Sequence, residues 1–418
     1  MNNRQKLLVS RLSELVSIPT VNPPGENYEE AAGLIAEWLR DVGMKVDLIR
    51  IPEDWLEENY PYSPQHKGHP RIIVYAHTGR RDRVLHFNGH YDVVPPGTGW
   101  SVAEPFKPLV RDGRMYGRGT TDMKGGIVSA VTALEEILSE DMVDTGDLGL
   151  EAAFVPDEES GGDGTKYLVE EVRVRPSYVV IAEPSTLRRI AIGHKGFVRG
   201  LIHVYGRQVH GSIPFKGENA FEKACMLLGS FKPAYEENVI KPKVSKYPII
   251  PEEAKHPTLN LGGQAESTSH KDNIVPGEFV FSFDRRVLPE EDVREAAREL
   301  EEYLEEAAKK TGVKVKVEIL SMVPGSVTPP DSELVLKASE AMSSVTGRQP
   351  QILVSTGRTD QVYYSAHGSS VVVMGPGAEG TAHMPDEYTL IEELNGFVDV
   401  YKYLARLLAS SRDEGRSI

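Results

Sequence analysis

The stretch Phe87–Trp100, FNGHYDVVPPGTGW, follows an apolar lead of Val84, Leu85, His86 and Phe87 and reads as a strand that stops abruptly. At the stop stand His90 and Asp92. Residues two apart on a strand point to the same side, so an imidazole and a carboxylate sit together at its end. One reading is a local salt bridge. The other is a metal ligand with its orienting carboxylate. The rest of the chain decides between them.

Working outward, helices are expected over Arg4–Val16, Tyr28–Val42 and Ile127–Leu138, interleaved with strands over Arg71–His77, Val84–Asn88, Leu150–Val155 and Tyr178–Ala182. That alternation implies an α/β layer fold. After IAIGHKG the character changes. An alternating strand from Phe197, a helix over Glu218–Phe231, an irregular Lys232–Pro257 stretch, the alternating EFVFSFDRRV, a Glu-rich amphipathic helix stopped by Gly312 and the strand VKVKVEIL follow in turn. Strand, helix, two strands, helix, strand is the pattern of a small α+β unit. Near Pro324 the α/β character resumes, with a helix capped by Asp331, the short strand SSVVVMGPG and a final helix over Leu390–Leu408. The simplest account is a domain of residues 195–322 inserted into a discontinuous domain of residues 1–194 plus 323–418.

A chain of 418 residues is too long for one compact core. Its formal charge of −15 opposes non-specific binding to nucleic acid or to an anionic membrane. No apolar run approaches a membrane span, and the amino-terminal segment reads as an amphipathic helix rather than a signal peptide. The single cysteine, Cys225, excludes an intrachain disulfide, stands among apolar residues at helical spacing and is expected to be buried; a reducing, cytoplasmic setting follows.

Acids and histidines cluster where strands end. GRGTTDMKGG places Asp122 in a glycine-rich loop before a helix, FVPDEESGG places Asp157, Glu158 and Glu159 after a strand, VVIAEPS places Glu183 and GTAHMPDEY places His383. Ligands of open α/β sheets bind beyond the carboxyl ends of strands, so these positions can converge on one crevice. Two imidazoles (His90, His383) and three carboxylates (Asp122, Glu159, Glu183) suit zinc. Five ligands are too many for one catalytic ion and enough for two if one carboxylate bridges. Asp92 is placed to orient His90, and Glu158 to take a proton from an attacking water. The glycines of GRGTTDMKGG could instead cradle a phosphate, but no Gly-Lys-Ser/Thr follows.

GHYDVVP, GRGTTDMKGG, DEESGG, AEPS and AHMPDEY, in that order, resemble the signature blocks of the acetylornithine deacetylase / succinyl-diaminopimelate desuccinylase / carboxypeptidase family of dinuclear zinc hydrolases. The resemblance implies a phosphorylase/hydrolase-like α/β catalytic domain, a mixed sheet with helices on both faces, and an inserted ferredoxin-like α+β lid that dimerises. It implies that Asp122 bridges two zinc ions, for which cobalt or manganese can substitute. His90 and Glu183 would hold one ion, Glu159 and His383 the other, with Glu158 the general base. It further implies that His210 reaches the partner subunit's site to stabilise the oxyanion, and that Asn273 and Arg286 hold a substrate carboxylate. STGRTDQ resembles the family's glycine-rich substrate loop, with Gly357, Arg358 and Thr359; Arg358 stands where a small residue is expected and either narrows the pocket or adds an anion contact.

The function so implied is hydrolysis of an N-acyl amino acid, as in amino-acid biosynthesis, with a carboxypeptidase or dipeptidase as the alternative within the family. The alternative of another class is an inactive binding protein on the same fold, which should lack a ligand or the base; none is missing. His77, His86, His194, His203 and His367 read as packed or solvated, and Arg285 as a salt-bridge partner.

Overall fold

The structure is a computed structural model and describes residues 1–79, 81–139 and 148–410. It divides into two compact units, one of Met1–Ile192, Thr328–Ile352 and Thr359–Ile418, the other of Gly193–Val327 and Leu353–Arg358.

In the first unit the strands lie in the order Lys45–Arg50, Ile72–His77, Leu148–Val155, Arg83–His90, Tyr178–Ile181 and Ser370–Val373, followed by Arg189–His194. Arg83–His90 runs parallel to both Leu148–Val155 and Tyr178–Ile181, and Tyr178–Ile181 runs parallel to Ser370–Val373. Lys45–Arg50 and Ile72–His77 form an antiparallel pair at one edge. The central strands are buried almost throughout, as expected when helices cover both faces of a parallel region. Helices Asn3–Val16, Lys124–Ser139, Glu333–Thr346 and Ile391–Ser410 pack together, while Tyr28–Asp41 packs on the edge strands. Four parallel strands bring four carboxyl ends to one edge of the sheet, and that edge carries His90, the 157–159 turn, Glu183 and the segment leading to His383.

In the second unit the antiparallel order is Thr258–Ser267, Glu278–Val287, Gly196–Tyr205, Lys314–Val323. Helices Ala220–Tyr235 and Val293–Thr311 pack on this sheet around Val198, Ile202, Leu227, Phe231, Phe281, Leu300 and Leu304. Gly312 ends its helix in a left-handed conformation, φ 69°. Arg285 is fully buried, bonded to Glu291 and to the Tyr235 hydroxyl.

Several details differ from expectation, among them the strands Lys45–Arg50, Arg189–His194 and Thr258–Ser267, none of which was read from the sequence. Cys225 is exposed, because its helix turns Ala224, Leu227 and Phe231 inward and leaves Phe221, Cys225 and Met226 outside. The cap of the Glu333 helix is Ser332 rather than Asp331, its side chain accepting from the Val335 N–H. A short helix, Glu53–Asn59, follows Pro52 where none was read. Among the described residues no helix is long and apolar enough to cross a membrane.

Candidate metal centre

His90 closes its strand buried, with Nδ1 3.0 Å from the Asp92 carbonyl oxygen and 3.4 Å from the Asp92 carboxylate. The backbone carbonyl is therefore the nearer partner that orients the ring. The Asp92 carboxylate faces the next turn instead: its two oxygens accept from the backbone N–H groups of Glu158 and Glu159, each at 3.2 Å. This fixes the start of the turn that presents both glutamates.

Asp122 stands just before the helix Lys124–Ser139. Its Oδ1 lies 3.2 Å from His90 Nε2, and its Oδ2 lies 3.3 Å from His383 Nε2. His383 Nε2 is also 3.0 Å from Glu159 Oε1. Donor atoms of His90, Asp122 and Glu159 lie within 4.8 Å of one another, as do those of His90, Glu158 and Glu183. The five expected ligands and Glu158 thus gather in one place, within the first unit.

The electrostatics are set by burial and by close contacts between acids and imidazoles. Burial pushes the Glu183 carboxyl well up, and the charges of Glu158 and Asp122 add to the effect. Burial also raises Glu159. Hydrogen bonds to Asp122 and Glu159 lift His383 to about 10. Burial opposes ionisation of Asp122, but the hydrogen bonds from His383 and His90 prevail and hold it well below the usual carboxylate range. Glu183 Oε1 is buried without a hydrogen-bond partner. An orphaned carboxylate oxygen among imidazoles and further acids fits a divalent cation, because a buried acceptor without a donor is otherwise costly.

Sequence reasoning missed what lies beneath the turn. Asp157 is fully buried in a left-handed conformation, φ 67°. It accepts from Arg71 Nε at 2.8 Å, and from Asn22 Nδ2 and the Tyr28 hydroxyl, each at 3.0 Å. The same Asn22 amide reaches Asp92 Oδ2 at 3.0 Å, and the Tyr60 hydroxyl donates to Asn22 Oδ1 at 2.7 Å. Arg71 is fully buried between the rings of Tyr60 and Tyr28, 4.6 and 5.3 Å from their centroids. Only the run of three acids at Asp157–Glu159 hinted that one of them needed a cation of its own.

The remaining expected residues belong to the second unit or its border. His210 ends one strand of the two-stranded ribbon Val209–His210 and Ile274–Val275 and pairs with Ile274; Asn273 just precedes the other strand, and its carbonyl accepts from the Gly211 N–H at 2.7 Å. Arg286 Nε is 2.9 Å from Asp284 Oδ1. The Gly357 N–H bonds Ser355 Oγ, Arg358 is partly buried, and buried Thr359 accepts from the Gln361 N–H. Of the histidines read as packed or solvated, His86 is buried between Glu151 and the Tyr364 hydroxyl, and His194 is buried against the Lys195 carbonyl.

Residues 86–407 match the profile of peptidase family M20/M25/M40. The chain belongs to this family. Its relatives include a succinyl-diaminopimelate desuccinylase of Nitratiruptor, 28% identical over 408 residues, covering 96% of this chain and 99% of that one. An acetylornithine deacetylase of Klebsiella pneumoniae is likewise 28% identical, over 93% of this chain and 94% of its own length. Among solved structures, an M20 metallo-carboxypeptidase of Sulfolobus solfataricus superposes with a TM-score of 0.73 at 19% identity, covering 98% of this chain and 100% of that one. As a member of the M20 family the chain is a hydrolase acting on amide bonds.

Proposed function

We propose that the chain is a dinuclear metal-dependent amidohydrolase that cleaves an N-acyl amino acid, or a peptide bond, next to a free carboxylate. The observation that carries this reading is the division of the Asp122 carboxylate, one oxygen toward His90 and the other toward His383. A carboxylate so divided could serve two cations, of which His90 and Glu183 would hold one and Glu159 and His383 the other. Zinc fits this donor set, and cobalt or manganese can replace it. Bound there, paired ions supply Lewis acidity, which lowers the pKa of a water and polarises the scissile carbonyl.

The protein's own groups do the rest. Glu158, whose N–H is fixed by Asp92, takes the proton of the attacking water and returns it to the leaving amine. Asn273 and Arg286 hold the substrate carboxylate, for which a guanidinium fork is suited. Gly357, Arg358 and Thr359 border the acyl group. His210 donates to the oxyanion of the partner's substrate in a homodimer formed through residues 195–322 acting as a lid. The exposed apolar side chains Phe215, Phe221 and Met226 in that segment support such a contact. The lone cysteine supports a cytoplasmic setting.

The test is a panel of N-acetyl, N-succinyl and N-carbamoyl amino acids and dipeptides, each with Zn²⁺, Co²⁺ or Mn²⁺. Glu158→Gln should lower kcat by about 10³-fold or more while keeping two ions per chain. Absence of turnover by the parent on every substrate, or a fully active Glu158→Gln, would overturn the proposal.

A further inference from the structure

Both oxygens of Glu387 are used, and they are used differently. Oε1 accepts three backbone N–H groups of one loop: Gly119 at 3.1 Å, Thr121 at 2.9 Å and Asp122 at 3.1 Å. Oε2 accepts from Arg118 Nη1 at 2.5 Å. The other end of the Arg118 fork, Nη2, lies 3.3 Å from the His383 carbonyl oxygen and 3.3 Å from the Pro96 carbonyl oxygen. The guanidinium also lies over the ring of Trp100, 5.4 Å from its centroid. Neither side chain is more than 1% exposed.

A buried ion pair contributes little net stability compared with an apolar pair of similar shape, so stability alone is a weak reason for this one. Its contacts suggest another. Glu387 closes the Gly119–Asp122 loop onto a single acceptor, which fixes the backbone from which the Asp122 carboxylate projects. Arg118 then ties that same acceptor to the main chain of His383. Asp122 and His383 are separated by hundreds of residues in the sequence, yet one carboxylate four positions beyond His383 holds the main chain of Asp122 directly and that of His383 through Arg118. The neighbouring Asp386 does the same for another loop, accepting the N–H groups of Ser101 and Val102 at 2.9 and 2.8 Å.

We propose that Glu387, with Arg118 as its counter-charge, is a positioning residue that sets the spacing of Asp122 and His383 before any cation arrives. The inference rests on reading the cluster as a metal centre. Both Glu387 oxygens are taken by protein donors, so it acts on the pocket by holding backbone; its loss should appear in metal affinity as well as in the stability cost of leaving Arg118 buried without its partner. Partners that orient ligands typically change affinity by about ten- to a hundredfold when removed.

Glu387→Gln separates the two oxygens, since Oε1 can still accept the three N–H groups while an amide NH₂ faces the Arg118 fork. Metal-free wild type and variant are titrated with Zn²⁺ against a competing chelator, and melting of the metal-free proteins is recorded alongside. Two ions are expected in both, with the weaker one bound about ten- to a hundredfold less tightly in Glu387→Gln. kcat at subsaturating metal should fall, with KM changed less than about twofold. Arg118→Lys keeps the charge and loses the fork, and should weaken the same ion by about tenfold; it serves if Glu387→Gln does not fold. Glu136→Gln, which breaks the ion cluster with Arg4 and Lys402, should lower the melting temperature without touching metal affinity. Wild-type zinc affinity in both Glu387→Gln and Arg118→Lys sinks the positioning role and leaves the metal centre standing. A wild type that takes up no zinc sinks both.

Discussion

Replacing Arg71 with methionine should expose how the metal-facing turn is held from below. The guanidinium and the Asp157 carboxylate are both fully buried, so neither charge has water to fall back on. Removing one partner of such a pair costs about 3–5 kcal/mol, most of it the penalty of leaving the other charge uncompensated. Asp157 would keep two donors, the Asn22 amide and the Tyr28 hydroxyl, and methionine would fill part of the space between Tyr28 and Tyr60. That places the loss at the lower end, about 3 kcal/mol. The protein offers a convenient optical report: its three tryptophans, Trp38, Trp55 and Trp100, all lie in the first unit. Urea unfolding followed by tryptophan fluorescence therefore reads this unit alone. With a slope of about 3 kcal/mol per molar, the midpoint should fall by about 1 M. Adding Asp157→Asn should return roughly half of the loss, since the amide keeps an acceptor, tolerates the left-handed backbone and carries no charge. A shift below about 0.3 M, or a double variant as unstable as the sum of its parts, would refute the reasoning.

Two further effects follow from single residues. Burial pushes His194 down to about 4, so the folded state takes up no proton there between that pH and the ordinary His value of 6.5. Its contribution is complete above about pH 6.5 and is lost as the pH falls toward 4, amounting to about 3 kcal/mol. Circular dichroism of urea unfolding at pH 7 and pH 4.5 should show a smaller acid loss for His194→Gln than for wild type; an equal loss rejects the assignment. Gly126, in the first turn of the helix after Asp122, lies so close to the Glu183 strand end that a Cβ would sit 2.0 Å from the Ala182 carbonyl oxygen. Gly126→Ala should cost about 2–3 kcal/mol in a urea titration and weaken zinc binding by displacing Glu183, whereas wild-type values in both measurements would contradict the close approach.

The strand ends were legible because two local signals coincide there. An apolar run fixes where a strand stops, and a charged residue just beyond it has few structural reasons to be there. Thus His90, Glu159 and Glu183 could be named before any contact was known, whereas His383, well past the end of its strand, was named with the loop GTAHMPDEY. Partners of buried charges carry no such signal. Nothing about Arg118 points to a carboxylate 269 positions away, and nothing about Asn22 points to Asp157, 135 positions away. The misreading of Cys225 has a related cause. Phe221, Cys225 and Met226 share helical spacing with Ala224, Leu227 and Phe231, so periodicity identifies the helix but not which of its two apolar stripes meets the sheet. At Asp331 and Ser332 two adjacent residues can each cap a helix, and only backbone geometry chooses between them.

The parallel pairing of the central strands also orders events during synthesis. The strand ending at His90 cannot be flanked on both sides until the strands at 148–155 and 178–181 exist, and the segment bearing His383 follows a strand made later still. The whole second unit, Gly193–Val327 and Leu353–Arg358, is translated in between. Domains fold largely as units as they leave the ribosome. An unfinished chain therefore carries His90, Asp122, Glu159 and Glu183 without their last partner for as long as it takes to translate some two hundred further residues, at about 5–20 per second. On the proposed division of ligands, the ion assigned to Glu159 and His383 gains its histidine only after the second unit has been made.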